Sequence, residues 1–468
     1  MKKWLKILLI TSGIIVTIIF AAGCFVISSI DKTPYFETTY YKNTTERLNN
    51  VLSNRITTEG NLQAGFAKIN ITPKIISGDQ KPSKGEFNTI KLAGFGKGQN
   101  AVGVHDSLFA KAIALDVAGK KAILISADLL LMPPEVVDKV VEKLKKRSDI
   151  TRGQLFFGAT HTHSSIGNCI PKFVGKQFGG EYQPGVVEWL SEKITKVILQ
   201  SVSDLKIAQF AHGYIHAPNL VANRLIGETG RLNDKLTVIS IKQDEGKHAA
   251  IGIFAAHPTI IGTWNNQFSG DYPGYFQRTL EDKGIDMAMF FGGTVGSHTN
   301  KGEGEKFEKA DFVGKSLADS ATVAFNKMEY SDSVVFSSIT SEIEIPKLQA
   351  IYITDNWRLS PWLGKKLMPK VKSTYLQALQ LNNLIWLTQP AELSGEYAID
   401  LKNALELKGY NAAITSFNGQ YLGYIIPAKY YYYDTYEARL MGWYGPGMGD
   451  YLMELNYTIA DSLTRNKL

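Results

Sequence analysis

From Gly65 onward, apolar segments typical of β-strands alternate with segments that have helical spacing. Residues 121–126, 154–157 and 235–240 are strand-like, whereas residues 134–146, 186–205 and 314–328 are predicted helices. A chain of 468 residues, 44% of them hydrophobic, is long enough to bury a large core. We therefore predict an α/β fold, with a single large domain over residues 63–468 in which mixed β-sheets are flanked by helices.

The N-terminus has the pattern of an export signal. Three lysines, Lys2, Lys3 and Lys6, precede an uncharged run from Ile7 to Ile30. As a helix rising about 1.5 Å per residue, this run is long enough to cross a hydrocarbon core of about 30 Å. The lysines should stay in the cytoplasm, so residues 1–30 are predicted to be a signal anchor, a transmembrane helix.

Two alternatives to this anchor stay open. A cleaved signal peptide usually has a shorter apolar core, of about 7–15 residues. Residues 21–24 form an imperfect bacterial lipobox that ends at Cys24, which would make the chain a lipoprotein. In each case the domain that follows is expected to be exported, and with the anchor it is held at the cell surface. Residues 31–62 are polar and rich in Thr and Asn, which predicts a stalk containing one short helix at residues 43–54.

Cysteine usage limits the chemistry that an exported domain of this chain can use. Only Cys24 and Cys169 are present, so the domain has no disulfide. A metal would have to be held by histidine, carboxylate or tyrosine side chains. The net charge of +7 is modest for the length and is interpreted as a solvated basic face. An Arg-rich arm or an aromatic-basic signature is missing, which argues against nucleic acid as a partner.

Two histidines lie where a predicted strand opens into a loop, in the segment Ala159-Thr160-His161-Thr162-His163-Ser164. Alternate side chains of an extended strand point to one side, so one imidazole can bind a metal while the other faces a substrate. Strand ends are the usual place for binding sites in α/β proteins. Taken alone, the pattern also fits a polar turn at a strand edge.

Four later segments extend this motif into an ordered series. They are Phe254-Ala255-Ala256-His257-Pro258-Thr259, then Gln389-Pro390-Ala391-Glu392, then Asn418 to Ile425 with Tyr421 and Tyr424, and finally Tyr436-Glu437-Ala438. Together with Ala64 to Pro73 and Gly103-Val104-His105-Asp106, the series resembles the catalytic domain of the neutral (non-lysosomal) ceramidases. The resemblance runs from about Ala64 to the C-terminus.

The resemblance implies a zinc amidohydrolase. Its metal ligands would be His161, His257, Glu392 and Tyr424. Because Gln420 is an extra residue in the family's tyrosine motif, the choice between Tyr421 and Tyr424 stays open; spacing to Tyr436 favours Tyr424, with Tyr421 as a substrate contact. A zinc-activated water would cleave the N-acyl amide of a ceramide-like lipid into a fatty acid and a sphingoid-type amine.

Three further residues are carried over as catalytic residues. His163 and Tyr436 match family positions that contact the scissile amide, where a developing oxyanion needs donors. Arg224 matches a position that contacts the substrate head group. The family implies a lipid substrate, and the N-terminal helix implies the membrane as a second partner.

The sequence departs from the family in its glycine-rich segment, which normally reads close to GDVSPN and has a serine near the zinc. Here it runs from Gly292 to Asn300, so that Ser297 and Thr299 are both candidates for that serine and both are predicted substrate contacts. His298 adds an imidazole. We also expect no C-terminal β-sandwich domain. The departures leave two alternatives: a zinc hydrolase of the same fold acting on a non-sphingolipid amide or ester, or a non-catalytic membrane-anchored binding protein.

Overall fold

The computed structural model describes residues 3–96, 98–244 and 246–465. Its α-helices are α1 (Lys3–Val26), α2 (Thr39–Ser53), α3 (Pro134–Arg147), α4 (Lys172–Gly179), α5 (Pro184–Ser203), α6 (Asp271–Asp282), α7 (Lys306–Phe325), α8 (Pro361–Leu367), α9 (Gly395–Glu406), α10 (Tyr436–Arg439) and α11 (Met448–Thr464).

The β-strands are β1 (Ile27–Ser29), β2 (Thr57–Asn70), β3 (Lys74–Ile75), β4 (Glu86–Phe87), β5 (Leu92–Ala93), β6 (Gly103–Val104), β7 (Phe109–Val117), β8 (Lys120–Ala127), β9 (Leu155–Ala159), β10 (Ser165–Ile166), β11 (Lys206–His216), β12 (Val221–Asn223), β13 (Lys235–Gln243), β14 (His248–Phe254), β15 (Gln267–Phe268), β16 (Met287–Gly292), β17 (His298–Asn300), β18 (Ser333–Glu344), β19 (Tyr352–Thr354), β20 (Trp357–Leu359), β21 (Ser373–Leu381), β22 (Leu384–Thr388), β23 (Glu392–Leu393), β24 (Asn411–Thr415) and β25 (Tyr424–Ile425).

One long strand, β2, joins the two halves of the largest sheet. Residues 57–61 of β2 pair with β18, which continues through β21 and β22 to β24. Residues 62–70 pair with β7, followed by β8 and β9, and β2 also pairs with β11, which continues through β13 and β14 to β16. Most neighbours are antiparallel, but β8–β9, β14–β16 and β22–β24 are parallel. The predicted mixed sheet is confirmed.

The halves of this sheet pack face to face, and helices cover their outer faces. A shared apolar core takes side chains from both halves, including Phe156, Phe291 and Trp386. On the outside, α3 and α5 cover β7–β9, α6 and α7 cover β13–β16, and α2, α9 and α11 cover β18–β24. In α3, Val136, Val140 and Leu144 are buried, as their spacing predicts.

The N-terminal prediction needs correction. The apolar run is not one helix through Ile30, because α1 ends at Val26 and the next three residues form β1, which pairs with β20 from Ile27 opposite Leu359. Among the described residues, no helix is both long and apolar enough to span a membrane. The side chains of residues 19–22 and of Cys24 lie outside the described part, and so does the lipobox.

The predicted stalk at residues 31–62 is also wrong. Helix α2 packs against β18 and α11, and its Thr44 and Leu48 are buried. Thr44 Oγ1 accepts a hydrogen bond of 2.9 Å from the Tyr451 hydroxyl. Strand β2 already begins at Thr57, inside this segment. The segment looks polar because α2 buries only one narrow face, which composition alone does not reveal.

The carboxyl ends of the parallel strands meet at one edge of the molecule. There, Gly293 N–H donates to Phe254 O at 2.9 Å and Ser416 N–H donates to Gly292 O at 3.0 Å, which ties the ends of β14, β16 and β24 together. The loops that follow β9, β14, β22 and β24 carry most of the predicted site residues. The fold therefore collects them from distant parts of the sequence into one place.

Candidate active site

His161 is held in one orientation by its backbone and its ring. Its φ of 67° is in the left-handed region, so the histidine pair lies in a turn after β9 and not on an extended strand as predicted. Its ring stacks on Phe417, with ring centres 4.3 Å apart. Nδ1 lies within hydrogen-bond distance of the carbonyl of Leu130. Because a carbonyl only accepts, Nδ1 donates to it, and Nε2 is the ring nitrogen that faces the other imidazoles.

The other two imidazoles converge on the same point. His257 Nε2 lies 2.9 Å from His161 Nε2 and 3.0 Å from His163 Nε2. Burial, assisted by the charge of Arg224, keeps the pKa of His257 well below its usual value, so this ring is neutral. Its Nδ1 faces the carbonyl of Val295 at 3.4 Å, which leaves Nε2 as an acceptor as well.

Gly94 leaves room for the imidazole ring of His163. The glycine has a φ of 112°, and a Cβ at this position would lie 2.5 Å from His163 Nδ1. Phe95 packs on the same imidazole, with ring centres 4.7 Å apart. Only glycine combines this backbone conformation with so close an approach.

Glu392 brings a carboxylate to the imidazoles. Its Oε2 lies 3.5 Å from His161 Nε2 and 3.7 Å from His257 Nδ1, and it has no hydrogen-bond partner among the described residues. Oε1 accepts a hydrogen bond of 2.6 Å from the Tyr421 hydroxyl. Burial raises the pKa of Glu392, but the neighbouring His161 and hydrogen bonds outweigh it, so the net pKa is lowered and the carboxylate is ionised.

Tyr424 lies directly beside this carboxylate, since β23 and β25 pair with Glu392 opposite Tyr424. Arg224 Nη2 donates to the Tyr424 hydroxyl at 2.9 Å. Arg224 is fixed in turn by Glu437, whose Oε1 lies 2.8 Å from its Nε. Burial raises the pKa of Tyr424 well above 10, although Arg224 opposes this effect. Tyr436 packs edge-on against Tyr424, with ring centres 5.8 Å apart.

The donor set fits a zinc ion. His161 Nε2 and His257 Nε2 face each other at 2.9 Å, so one cation could be bound by both nitrogens. Four ligands at about 2.0–2.1 Å around zinc would be about 3.3–3.4 Å apart, close to the spacings seen here. His161, His163 and His257 have ligand atoms within 4.8 Å of one another. His163 is therefore as near to the centre as the predicted ligands, and together with Tyr424 it is a candidate for the fourth position.

The chain is similar in sequence and in fold to known ceramidases. Residues 82–306 match the family model described as neutral/alkaline non-lysosomal ceramidase, N-terminal. This match supports the neutral/alkaline ceramidase family for the chain. Its fold matches the crystal structure of neutral ceramidase from Pseudomonas aeruginosa with a TM-score of 0.70 at 18% identity, over 86% of this chain and 74% of that one. It also matches a ceramidase complexed with C2, with a TM-score of 0.71 at 17% identity, over 86% and 75% of the two chains.

Two of the predicted substrate contacts lie outside the candidate site. Ser297 is fully buried, and its hydroxyl bonds His298 Nδ1 at 2.8 Å, the Ser394 hydroxyl at 2.9 Å and Gly395 N–H at 2.9 Å. Thr299 lies in β17, and its backbone bridges to His257. Neither belongs to the described residues that line the two cavities at the site. The prediction that Ser297 and Thr299 contact the substrate is therefore corrected. Ser297 instead holds the segment that follows Glu392 by hydrogen bonds.

His298 belongs to the same hydrogen-bond network. Its Nε2 accepts the N–H of Asn233 at 2.9 Å, and Lys402 Nζ donates to Asn233 Oδ1 at 3.1 Å. Burial lowers the pKa of His298 to about 4, so it stays neutral. A Cβ at Gly395 would lie 2.3 Å from His298 Cε1, so the ring packs directly on the first turn of α9. The imidazole that is additional to the family pattern is structural here.

Two cavities meet at the histidines. The enclosed cavity has a volume of about 70 Å³ and a mostly apolar wall. His161, Glu392, Tyr421 and Glu135 are among the residues that line it. An open one of about 700 Å³ contains His257 and Arg224. The residues common to both are Gly94, His163, Val174, Phe178, Met368, Tyr424, Tyr436, Met441 and Trp443. The sequence motifs did not indicate Phe417, Phe95 or Trp443, because packing contacts of single aromatic residues carry no sequence signature.

Proposed function

We propose that the protein is a zinc-dependent amidohydrolase that cleaves the N-acyl amide of ceramide-like lipids to a fatty acid and a sphingoid-type amine. The match to the ceramidase family supports ceramide hydrolysis in general. The observation that carries the finer proposal is the convergence of three imidazole Nε2 atoms and the unpartnered Glu392 Oε2 at the meeting point of two cavities. A metal at this point would be next to any bound amide.

Zinc, held by His161, His257 and Glu392 with Tyr424 or His163, would supply a water of lowered pKa as the nucleophile. The chain's own residues then bind and orient the amide. Burial raises the pKa of Tyr436 to about 12, so its phenol keeps its proton at neutral pH and can donate to the oxyanion. His163 lines both cavities and is placed to contact the amide.

The two cavities suggest where the head group and the acyl group of the substrate bind. The open cavity contains Arg224, which suits a polar head group, whereas the enclosed cavity is largely apolar and suits the acyl group. Its volume of about 70 Å³ is small beside the roughly 300–1,000 Å³ that is usual for ligand sites. That size favours one second candidate, the hydrolysis of another N-acyl amide with a short acyl group by the same machinery.

Two measurements test the proposal. Purified protein should contain one zinc per chain, and fatty acid should be released from ceramides of several acyl lengths. Release from short N-acyl amides without a sphingoid base, and not from any ceramide, would instead favour the second candidate. Zinc-loaded protein that cleaves no amide or ester would contradict both and favour the binding-protein alternative.

We also propose that the domain acts outside the cytoplasm. The support is the order of lysines and apolar residues at positions 2–30, which is typical of an export signal. Digestion of the domain by a protease added to intact cells is the expected result. Full protection in intact cells, with digestion after lysis, would contradict export.

A further inference from the structure

Glu135 is one of the residues that line the enclosed cavity. It lies in the first turn of α3, five residues after Leu130, whose carbonyl orients His161. The same wall contains Leu131, Ile170 and Phe178. Glu135 and the metal-binding residues therefore line one continuous space, although Glu135 has no part in the proposed chemistry.

One oxygen of this carboxyl group lacks a partner. Glu135 Oε2 is buried and has no hydrogen-bond partner among the described residues. Burial raises the pKa of Glu135 to about 7. A buried carboxyl oxygen without a partner is unfavourable, so its presence in an apolar wall requires an explanation.

The position at a helix N-terminus explains only part of this. An acid in the first turn is stabilised by the helix dipole, and Glu135 has a hydrogen bond from its own backbone N–H. Neither fact accounts for Oε2, which remains buried without a donor. By contrast, Glu142 on the same helix is exposed and pairs with Lys146 at 2.6 Å. A donor supplied by a bound ligand would satisfy Oε2.

A second feature of the same cavity points to altered selectivity. Gln420, the residue that is extra in the family's tyrosine motif, also lines the enclosed cavity. Its Oε1 accepts the N–H of Tyr421 at 3.0 Å. The cavity that would take the acyl group thus has two polar side chains in its wall in addition to the residues around the metal centre.

We propose that Glu135 determines acyl specificity, by accepting a hydrogen bond from a hydroxyl group carried on the acyl chain. The preferred substrates are then N-acyl amides with a hydroxylated acyl group, and plain saturated acyl groups are cleaved less well. This inference rests on the proposed amidohydrolase function and on the assignment of the acyl group to the enclosed cavity.

The test uses pairs of N-acyl amides that share the amine and the acyl length and differ only by a hydroxyl, with the hydroxyl moved along the chain. For the wild-type protein, kcat/KM should favour the hydroxylated member at one position by about tenfold or more. Glu135→Leu should abolish or reverse that preference. Glu135→Gln keeps a carbonyl oxygen as acceptor and should retain part of it. The matched control is Glu142→Leu, which should behave as wild type.

The outcomes separate this inference from the function on which it rests. Wild-type cleavage of plain amides without preference at any position overturns the role of Glu135 and leaves the amidohydrolase standing. A preference that persists in Glu135→Leu also overturns it. If the wild type cleaves no amide at all, both proposals fail. Equal zinc content and thermal midpoints among the variants show that altered ratios do not come from misfolding. If Glu135→Leu fails to fold, Glu135→Gln carries the test, because a ratio equal to that of the wild type would overturn the role of Glu135.

Discussion

The two sides of the site are built differently. On the side of the proposed metal, called the metal side below, His161, His257 and Glu392 are almost fully buried and held by backbone carbonyls, stacking and strand pairing. On the mouth side, Tyr436 is 46% exposed and belongs to α10, a helix of four residues. Buried groups at strand ends keep their geometry whether or not a substrate is present. Groups on a short exposed helix can move with the substrate.

This difference separates two kinds of effect. A change on the metal side should alter metal content as well as turnover, because the ligands act on the ion first. A change at the mouth should alter turnover alone. His163 lies between these cases, since it is near the metal centre and lines both cavities.

The largest effect is expected for His257→Ala. The variant should lose its zinc, and its activity should fall by at least about 10⁴-fold, because in the proposed mechanism the metal supplies the nucleophile. Metal analysis of the purified protein, together with fatty acid release, measures both. His216→Ala is the control, since this exposed histidine pairs with Asp234 outside the site. Full zinc content in His257→Ala would refute the ligand assignment.

His163→Ala should cost about 10²–10⁴ in kcat and keep its zinc, as expected for a group that acts on the amide. Tyr424→Phe is the matched comparison, because it removes the alternative fourth ligand and should weaken zinc binding. A reversed result, with zinc lost from His163→Ala and retained in Tyr424→Phe, would make His163 the fourth ligand. His163 would then belong to the metal side.

Tyr436→Phe should keep its zinc and lose about 10²–10³ in kcat, the usual cost of one oxyanion donor. The control is Tyr433→Phe, which removes the same hydroxyl from an exposed tyrosine three residues earlier. Unchanged kcat in Tyr436→Phe, with zinc intact, would exclude a contribution of this phenol to catalysis.

The metal side could be predicted from sequence and the mouth side only in part. His161, His257 and Glu392 each follow an apolar strand, so their segments were recognisable and the sheet brings them together. The left-handed turn at His161 and its stacking on Phe417 depend on contacts between distant residues, which a strand pattern does not encode. Likewise, α1 ends at Val26 because Ile27 pairs with Leu359, more than 300 residues away.

Ser297 and Thr299 show a further limit of motif matching. The segment from Gly292 to Asn300 was recognised as the place of a family serine, but its sequence could not show which way the hydroxyls point. In the structure, Ser297 bonds to His298 and to the residues after Glu392. The sequence cannot distinguish a residue that hydrogen-bonds the segment next to a metal-binding residue from one that contacts the substrate.

The smallest expected effect concerns the hydrogen bonds of Ser297 and His298 that hold the segment after Glu392. Their contribution to stability should depend on pH. His298 is buried and neutral, with its pKa lowered to about 4 by burial, against a value of about 6.5 in the unfolded chain. Between these values the unfolded state binds more protons, so the contribution of His298 to stability is complete above about pH 6.5 and is lost as the pH falls towards 4. At pH 5 the loss amounts to about 2 kcal/mol.

His298→Gln should therefore be less stable than wild type at pH 7, because an amide does not reproduce both hydrogen bonds, but it should lose less stability between pH 7 and pH 5. Thermal or denaturant unfolding of both proteins at the two pH values measures this difference. The other histidines with lowered pKa values are common to both proteins, so the subtraction removes their contribution. Lys408→Gln, which removes an exposed partner of Asp461, serves as a surface control and should show the wild-type pH dependence. An equal loss of stability in wild type and His298→Gln would show that His298 does not titrate on unfolding and that other groups couple this support to pH.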